Sequence, residues 1–169
     1  SLKFDPTQMM DLASYPLPDM DQLVETSSGP AGGLDQSAVS FKDVAADAGI
    51  RFRYFNSDDP STEGRRMFEF TGGGVAILDY DGDLWPDIYL TQGCLWPADP
   101  AQQQHRDRLF RNLGNGSYQD VTEQSGLGDN RFSQGVQIGD YNNDGYPDIY
   151  LANVGENRLY ANNGDGTFQ

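Results

Sequence analysis

Asp79-Tyr80-Asp81-Gly82-Asp83-Leu84-Trp85-Pro86-Asp87 returns 61 residues later as Asp140-Tyr141-Asn142-Asn143-Asp144-Gly145-Tyr146-Pro147-Asp148. Both nine-residue segments carry oxygen-bearing side chains at positions 1, 3, 5 and 9: Asp79, Asp81, Asp83 and Asp87 in the first, Asp140, Asn142, Asp144 and Asp148 in the second. In a tightly wound loop alternate short side chains turn inward, so positions 1, 3 and 5 converge on one point. The position 7 carbonyl (Trp85, Tyr146) and the position 9 carboxylate can then close a shell of hard oxygen donors. Such a shell suits Ca²⁺, which accepts six to eight oxygens in flexible geometry, better than Mg²⁺ with its smaller octahedron. With neither His nor Cys in either loop, zinc and copper are disfavoured. The expectation is two Ca²⁺ sites.

The EF-hand begins with the same ligand spacing but needs a bidentate Glu at position 12 and a flanking helix. Position 12 is Leu90 or Leu151, and each loop runs into Asp-Ile-Tyr-Leu, which reads as a strand. The loop is therefore expected to join two strands. Repetition extends beyond it. Phe41–Ile50 returns 77 residues later as Tyr118–Leu127, Gly74–Tyr80 returns 61 later as Gly135–Tyr141, and Arg108–Tyr118 returns 50 later as Arg158–Phe168. The falling offsets locate two insertions in the first copy, one within 51–70 and one within 93–107, and leave a basic unit of about 50 residues. Within a unit, Val75–Leu78, Ile88–Thr91, Leu109–Arg111 and Tyr118–Val121 alternate with Gly/Asn/Asp clusters, so four strands per unit are expected. Asn115-Gly116 and Asp165-Gly166 suit tight hairpins. Four-stranded units in tandem are the sequence pattern of propeller blades.

On these motifs the chain resembles the FG-GAP/VCBS repeat family, in particular its branch of cartilage acidic proteins, and its calcium loop is similar to that of integrin α-chain propellers. The shared elements are a Phe-x-Asp-Val-Thr strand, a Gly-Gly-Gly-Val-Ala-x-x-Asp-Tyr-Asp approach to the loop, the Asp-rich loop itself, and an Arg-Leu-Tyr-x-Asn-x-Gly-x-Gly-x-Phe hairpin. The resemblance covers 41–169 and implies an all-β fold: a partial β-propeller of tandem four-stranded blades, about two plus the start of a third, with Ca²⁺ in the Asp-rich loops. One departure concerns position 6, Gly in the family and Gly145 in the second loop but Leu84 in the first. A branched side chain resists the left-handed backbone that glycine adopts freely, at a cost of about 1–2 kcal/mol, so a distorted or weaker first site is expected.

Residues 1–40 differ in composition, with Pro6, Pro16, Pro18, Pro30 and a Gly/Ser-rich stretch at 27–33. They read as an irregular leader or linker, with one short helix over Met20–Thr26 capped by Asp19. At the other end Phe168-Gln169 matches Tyr118-Gln119, so the sequence stops as a third unit opens. A ring needs typically four to eight blades. The remaining ones are expected from the parent chain or from other chains.

Twenty-six Asp and Glu against 11 Lys and Arg give a net charge of −15, which two Ca²⁺ ions would bring to −11. That balance repels phosphate backbones, so nucleic acid is not an expected partner. No run of about 18 apolar residues is present to span a bilayer. Cys94, the single cysteine, reads as a small buried apolar residue, and His105, the single histidine, as a solvated surface residue in a polar insertion. There is no Gly-x-Ser-x-Gly elbow or phosphate loop, and Gly72-Gly73-Gly74 precedes a strand rather than a helix, which points to close backbone packing. Trp85, Trp96 and Phe132 are candidates for an aromatic sugar platform, Trp96 foremost. The reading is a non-catalytic, calcium-stabilised, extracytoplasmic module (secreted, periplasmic or surface-attached) that binds protein or glycan. The alternative is an accessory propeller of a larger enzyme complex, such as a polysaccharide lyase or oxidase.

Overall fold

The computed structural model describes residues 40–57, 66–99 and 101–169. The chain divides into two units, Ser1–Phe41 and Lys42–Gln169, and every element below belongs to the second. The helix expected over Met20–Thr26 lies outside the described residues. The fold is all-β with little helix. Strands β1 (Val75–Leu78), β2 (Asp87–Leu90), β3 (Arg108–Asn112) and β4 (Tyr118–Asp120) form one antiparallel sheet in sequential order. Strands β5 (Ser133–Gly139), β6 (Asp148–Asn153) and β7 (Arg158–Tyr160) form a second. Where the repeat calls for a fourth strand in the second sheet there is a single bridge, Asn162↔Phe168. The first repeat thus has its four strands, and the second has three plus that bridge.

Alternation decides which face each strand buries, because successive side chains point to opposite sides of a sheet. In β1, Ala76 and Leu78 are buried while Val75 and Ile77 are exposed. The pairs Ala76↔Tyr89 and Tyr89↔Leu109 carry the buried face across the first sheet. Ile149 and Leu151 of β6 and Tyr160 of β7 do the same for the second sheet. All of these, with Tyr80, Val121, Leu127 and Phe168, form one apolar cluster, so the two sheets share a core. Each such large side chain withdrawn from water contributes about 1.5–3 kcal/mol, which makes the inter-sheet contact the main source of cohesion.

The glycines before β1 allow close backbone approach, as expected. A Cβ on Gly73 would lie 2.7 Å from the Thr91 carbonyl oxygen, and one on Gly74 would lie 3.0 Å from the Val136 nitrogen of the second sheet. Two short helical pieces were not legible in the strand pattern: a 3-10 turn over Met67–Phe70 in the first insertion, and α1 (Thr122–Ser125) after β4. Helix α1 links the sheets, since the Phe168 N–H donates to the Ser125 carbonyl at 2.9 Å. No helix among the described residues is long and apolar enough to cross a membrane.

Candidate metal centre

Both acidic segments connect the first two strands of a sheet, β1 to β2 and β5 to β6. The first residue of each organises the bend. Asp79 Oδ1 accepts the Gly82 and Asp83 N–H groups at 2.9 and 3.1 Å, and its Oδ2 accepts Leu84 N–H at 3.0 Å. Asp140 repeats this through the Asp144 and Gly145 N–H groups at 3.1 and 2.9 Å. The last residue ties the bend to the neighbouring strand. Asp87, fully buried, accepts Tyr80 N–H at 3.1 Å and Asn112 N–H at 2.7 Å; Asp148 accepts Tyr141 N–H at 2.9 Å and Asn162 N–H at 2.8 Å. The loop frame is therefore held by backbone N–H groups that donate to the carboxylates at positions 1 and 9.

This winding needs two left-handed residues in each loop, at positions 4 and 6. They are Gly82 (φ 75°) and Leu84 (φ 69°) in the first loop, Asn143 (φ 61°) and Gly145 (φ 91°) in the second. Leu84 accordingly occupies the backbone conformation expected to penalise it. The loops share one shape and place their strain differently.

Carboxylate oxygens of Asp79, Asp81 and Asp87 all lie within 4.8 Å of one another, the group among the described residues with metal-holding proximity. Burial, opposed by the two backbone N–H bonds and reinforced by the charges of Asp81 and Asp83, pushes the Asp87 carboxyl up to about 6. A cation among these oxygens would relieve that repulsion, and a donor set of oxygen alone matches a hard divalent ion. At position 5, Asp83 Oδ1 accepts Trp85 N–H and Asp144 Oδ1 accepts Tyr146 N–H, both at 2.9 Å. At position 3 the loops diverge: Asn142 donates from Nδ2 to Asp144 Oδ2 at 2.7 Å, where the first loop has Asp81. The position 7 rings pack away from the loop interior against the hairpin glycine that follows β3 or β7. A Cβ on Gly114 would stand 2.8 Å from the Trp85 ring, and one on Gly164 2.6 Å from Tyr146.

Three residues of this neighbourhood escaped the sequence reading. Arg111 Nε lies 2.6 Å from Asp81 Oδ2, an electrostatic contact without hydrogen-bond alignment, and its Nη2 donates to Asp83 Oδ2 at 2.8 Å. Asn112 donates from Nδ2 to the Pro86 carbonyl at 3.0 Å. Asn162, 3% exposed, donates to the carbonyls of Pro147 in its own sheet, at 3.2 Å, and of Tyr80 in the other, at 3.0 Å. The signal for the asparagines was present, since both occupy the same place in the repeated Arg-Leu-x-x-Asn motif.

Away from the loops, the other singled-out residues divide. Cys94 is buried, and burial, helped by Asp129 and Asp107, pushes its thiol up to about 11, which fits an inert packed residue. His105 corrects the expectation of a solvated side chain. Its ring stacks on Phe55 with centroids 3.7 Å apart, and burial lowers its pKa. Phe132 is fully buried, edge-on to Phe68, so it is removed from any sugar platform; Trp96 stays partly exposed beside a cleft of about 370 Å³ lined also by Pro97, Arg131, Val154 and Glu156.

Comparison with known proteins agrees with this architecture. Residues 79–151 and 140–169 match the model of the FG-GAP-like repeat. The chain is similar to mouse cartilage acidic protein 1, 29% identical over 154 residues, which is 88% of this chain and 20% of the relative. It is similar to the human protein of the same name at 27% over 143 residues, 83% of this chain and 17% of the relative. The chain thus spans about a fifth of the length of these curated relatives. With more than half of its residues matched, in two overlapping stretches that begin at Asp79 and Asp140, the first residues of the acidic loops, the chain belongs to the FG-GAP-like repeat family.

Proposed function

We propose that this segment supplies blades of a β-propeller, that each of its acidic loops holds one Ca²⁺, and that the assembly is a non-catalytic, extracytoplasmic module binding protein or glycan. The observation that carries the reading is the duplicated loop: two bends of one backbone shape, each with oxygen-bearing side chains at positions 1, 3, 5 and 9 and held by equivalent hydrogen bonds, with the carboxylates of Asp79, Asp81 and Asp87 drawn together in the first. The ligands proposed are Asp79, Asp81, Asp83, the Trp85 carbonyl and Asp87 in the first site, and Asp140, Asn142, Asp144, the Tyr146 carbonyl and Asp148 in the second. Bound there, calcium supplies charge neutralisation and cross-links the bend, while the protein's own residues set its shape.

The faces turned away from the shared core support packing against further blades, from the parent protein or from other chains. Val75 and Ile77 on the first sheet, and Tyr150 and Leu159 on the second, are exposed apolar residues of the kind a neighbouring sheet would cover. The Trp96 cleft, an aromatic ring flanked by Arg131 and Glu156, is the surface proposed for a glycan.

Thermal melting tests the metal assignment. With free Ca²⁺ at 100 times its dissociation constant, each site adds about 2.7 kcal/mol. Asp144→Ala loses the bonds from Tyr146 N–H and the Asn142 amide in either buffer, and is expected to lose one such increment more in calcium than in chelator. An equal loss in both conditions would reject Asp144 as a ligand. Glycan-array signal abolished by Trp96→Ala would support the sugar surface; protein capture with no glycan signal would reject it.

A further inference from the structure

The two loops differ in a paired way. The first has four carboxylates, Asp79, Asp81, Asp83 and Asp87, with Arg111 on the adjacent strand; the second has three, Asp140, Asp144 and Asp148, with Ala161 in the position of Arg111. The equivalence of 111 and 161 rests on register as well as sequence. Arg111 pairs with Gln119, and Ala161 exchanges both backbone hydrogen bonds with Gln169 at 3.0 Å. Counting the arginine, four negative charges and one positive leave −3 at the first loop, and three negative charges leave −3 at the second.

Where the guanidinium sits matters more than its charge. Asp81 Oδ1 and Asp83 Oδ1 face the loop backbone, within 3.4 Å of Asp83 N–H and 2.9 Å of Trp85 N–H respectively. That leaves Oδ2 of each for a cation, and both Oδ2 atoms are on Arg111. The Arg111 side chain is 38% exposed against 14% for Asp81 and 26% for Asp83, so it caps the carboxylates from the solvent side. Among the described residues no guanidinium stands over the second loop, where the Asn142 amide meets Asp144 instead.

We infer that Arg111 is a tethered counter-cation of the first loop: it holds Asp81 and Asp83 together when calcium is scarce and must give up their Oδ2 atoms when calcium binds. The inference rests on the calcium reading above and adds a consequence that reading does not contain. The first loop binds calcium by displacing a guanidinium and gains little order from it; the second, with Ala161 in the place of Arg111, gives up only the neutral Asn142 amide on Asp144 Oδ2. One chain thereby holds a weaker and a tighter site with the same nominal ligand positions.

The test uses the full 169-residue chain carrying Asp144→Ala, so that calorimetry reads the first loop alone. Adding Arg111→Ala is expected to tighten calcium binding about fivefold to tenfold, as befits removal of a partly exposed two-carboxylate ion pair. It is also expected to lower the melting temperature in chelator and leave it unchanged in saturating calcium. Conversely, Ala161→Arg in an Asp83→Ala background is expected to weaken the second site, which keeps the idea testable should Arg111→Ala fold poorly. Calcium binding in the parent with an unchanged or weaker isotherm in Arg111→Ala, or an unchanged second site in Ala161→Arg, overturns the role of Arg111 and leaves the metal assignment standing. Absence of calcium heat in every variant overturns the metal assignment itself and the inference with it.

Discussion

Leu84→Gly should stabilise the protein, although it deletes a large apolar side chain. Leu84 is 88% exposed, so almost no buried area is lost, and its N–H bond to Asp79 Oδ2 at 3.0 Å is a backbone interaction that glycine keeps. What changes is the backbone: at φ 69° a non-glycine residue carries a penalty of about 1–2 kcal/mol, which glycine removes. Against this stands the greater freedom of glycine in the unfolded chain, worth about 0.4–1 kcal/mol. The difference is a net gain of about 0.5–1 kcal/mol, or ~3 °C in melting temperature for a unit of this size. The second loop supplies the mirror experiment. Gly145 has φ 91° and no atom within 4 Å of where a Cβ would stand, so Gly145→Ala introduces backbone strain without a clash and should cost about 1 kcal/mol. Urea unfolding in chelator reads both, with slopes unchanged if only the native backbone is affected. A neutral or destabilising Leu84→Gly alongside a costly Gly145→Ala would refute the reasoning, because it would mean that Leu84 is accommodated by contacts its exposure does not reveal.

Asn162→Ala removes donors to the carbonyls of Tyr80 and Pro147 and the acceptor of Gly164 N–H, and should cost about 3 kcal/mol at roughly 1 kcal/mol per bond, lowering the melting temperature by about 10 °C; a loss within 2 °C would mean those carbonyls find other partners. Asp107 is fully buried, accepts Gln92 N–H at 2.6 Å and the Tyr89 hydroxyl at 2.9 Å, and burial raises its pKa well above the carboxylate range, with Asp129 adding to the rise. Its contribution to stability is therefore complete below its unfolded pKa of about 3.9 and is lost as pH rises through the higher folded value, so Asp107→Asn should gain on the parent as pH increases from 4 to 8; a pH-independent difference between the two melting curves would refute this.

Sequence reading reached the strands and the loops because both are governed by short-range rules. The apolar run Val75–Leu78 and the paired acidic segments placed β1, the β1–β2 bend and the matching bend of the second sheet. The left-handed character of position 6 was legible from Gly145, and Leu84 adopts it too. Position 4 was not, since Gly82 and Asn143 are unremarkable in a turn until the hydrogen bonds of Asp79 and Asp140 show why the chain must reverse there. Contacts that cross between strands were beyond reach. Arg111 looks like an outward-facing strand residue until β3 is laid beside β2, and the stacking of His105 on Phe55 joins an insertion to a distant segment of the chain. In the second sheet residues 162–168 follow the hairpin pattern, giving the bridge Asn162↔Phe168 flanked by the backbone exchange of Ala161 with Gln169.

The division of labour inside each loop follows from which atoms the backbone already uses. Positions 1 and 9 are engaged by five N–H groups in the first loop and four in the second, so their carboxylates are fixed whether or not a cation is present. Their removal would unravel the bend and, through Asn112 or Asn162, loosen the neighbouring strand. In the first loop Asp81 and Asp83 each keep one oxygen for the backbone and turn the other to the Arg111 guanidinium; in the second Asp144 turns its free oxygen to the amide of Asn142, whose own oxygen accepts Asp144 N–H. A repeat built this way can vary charge at positions 3 and 5, and on the strand facing them, without altering the shape set at positions 1 and 9. That separation is why Asp81 with Arg111, and Asn142 with Ala161, are alternative solutions within one frame, and why substitutions at positions 1 and 9 should cost most in every buffer while those at positions 3 and 5 should cost less in chelator and change the response to calcium.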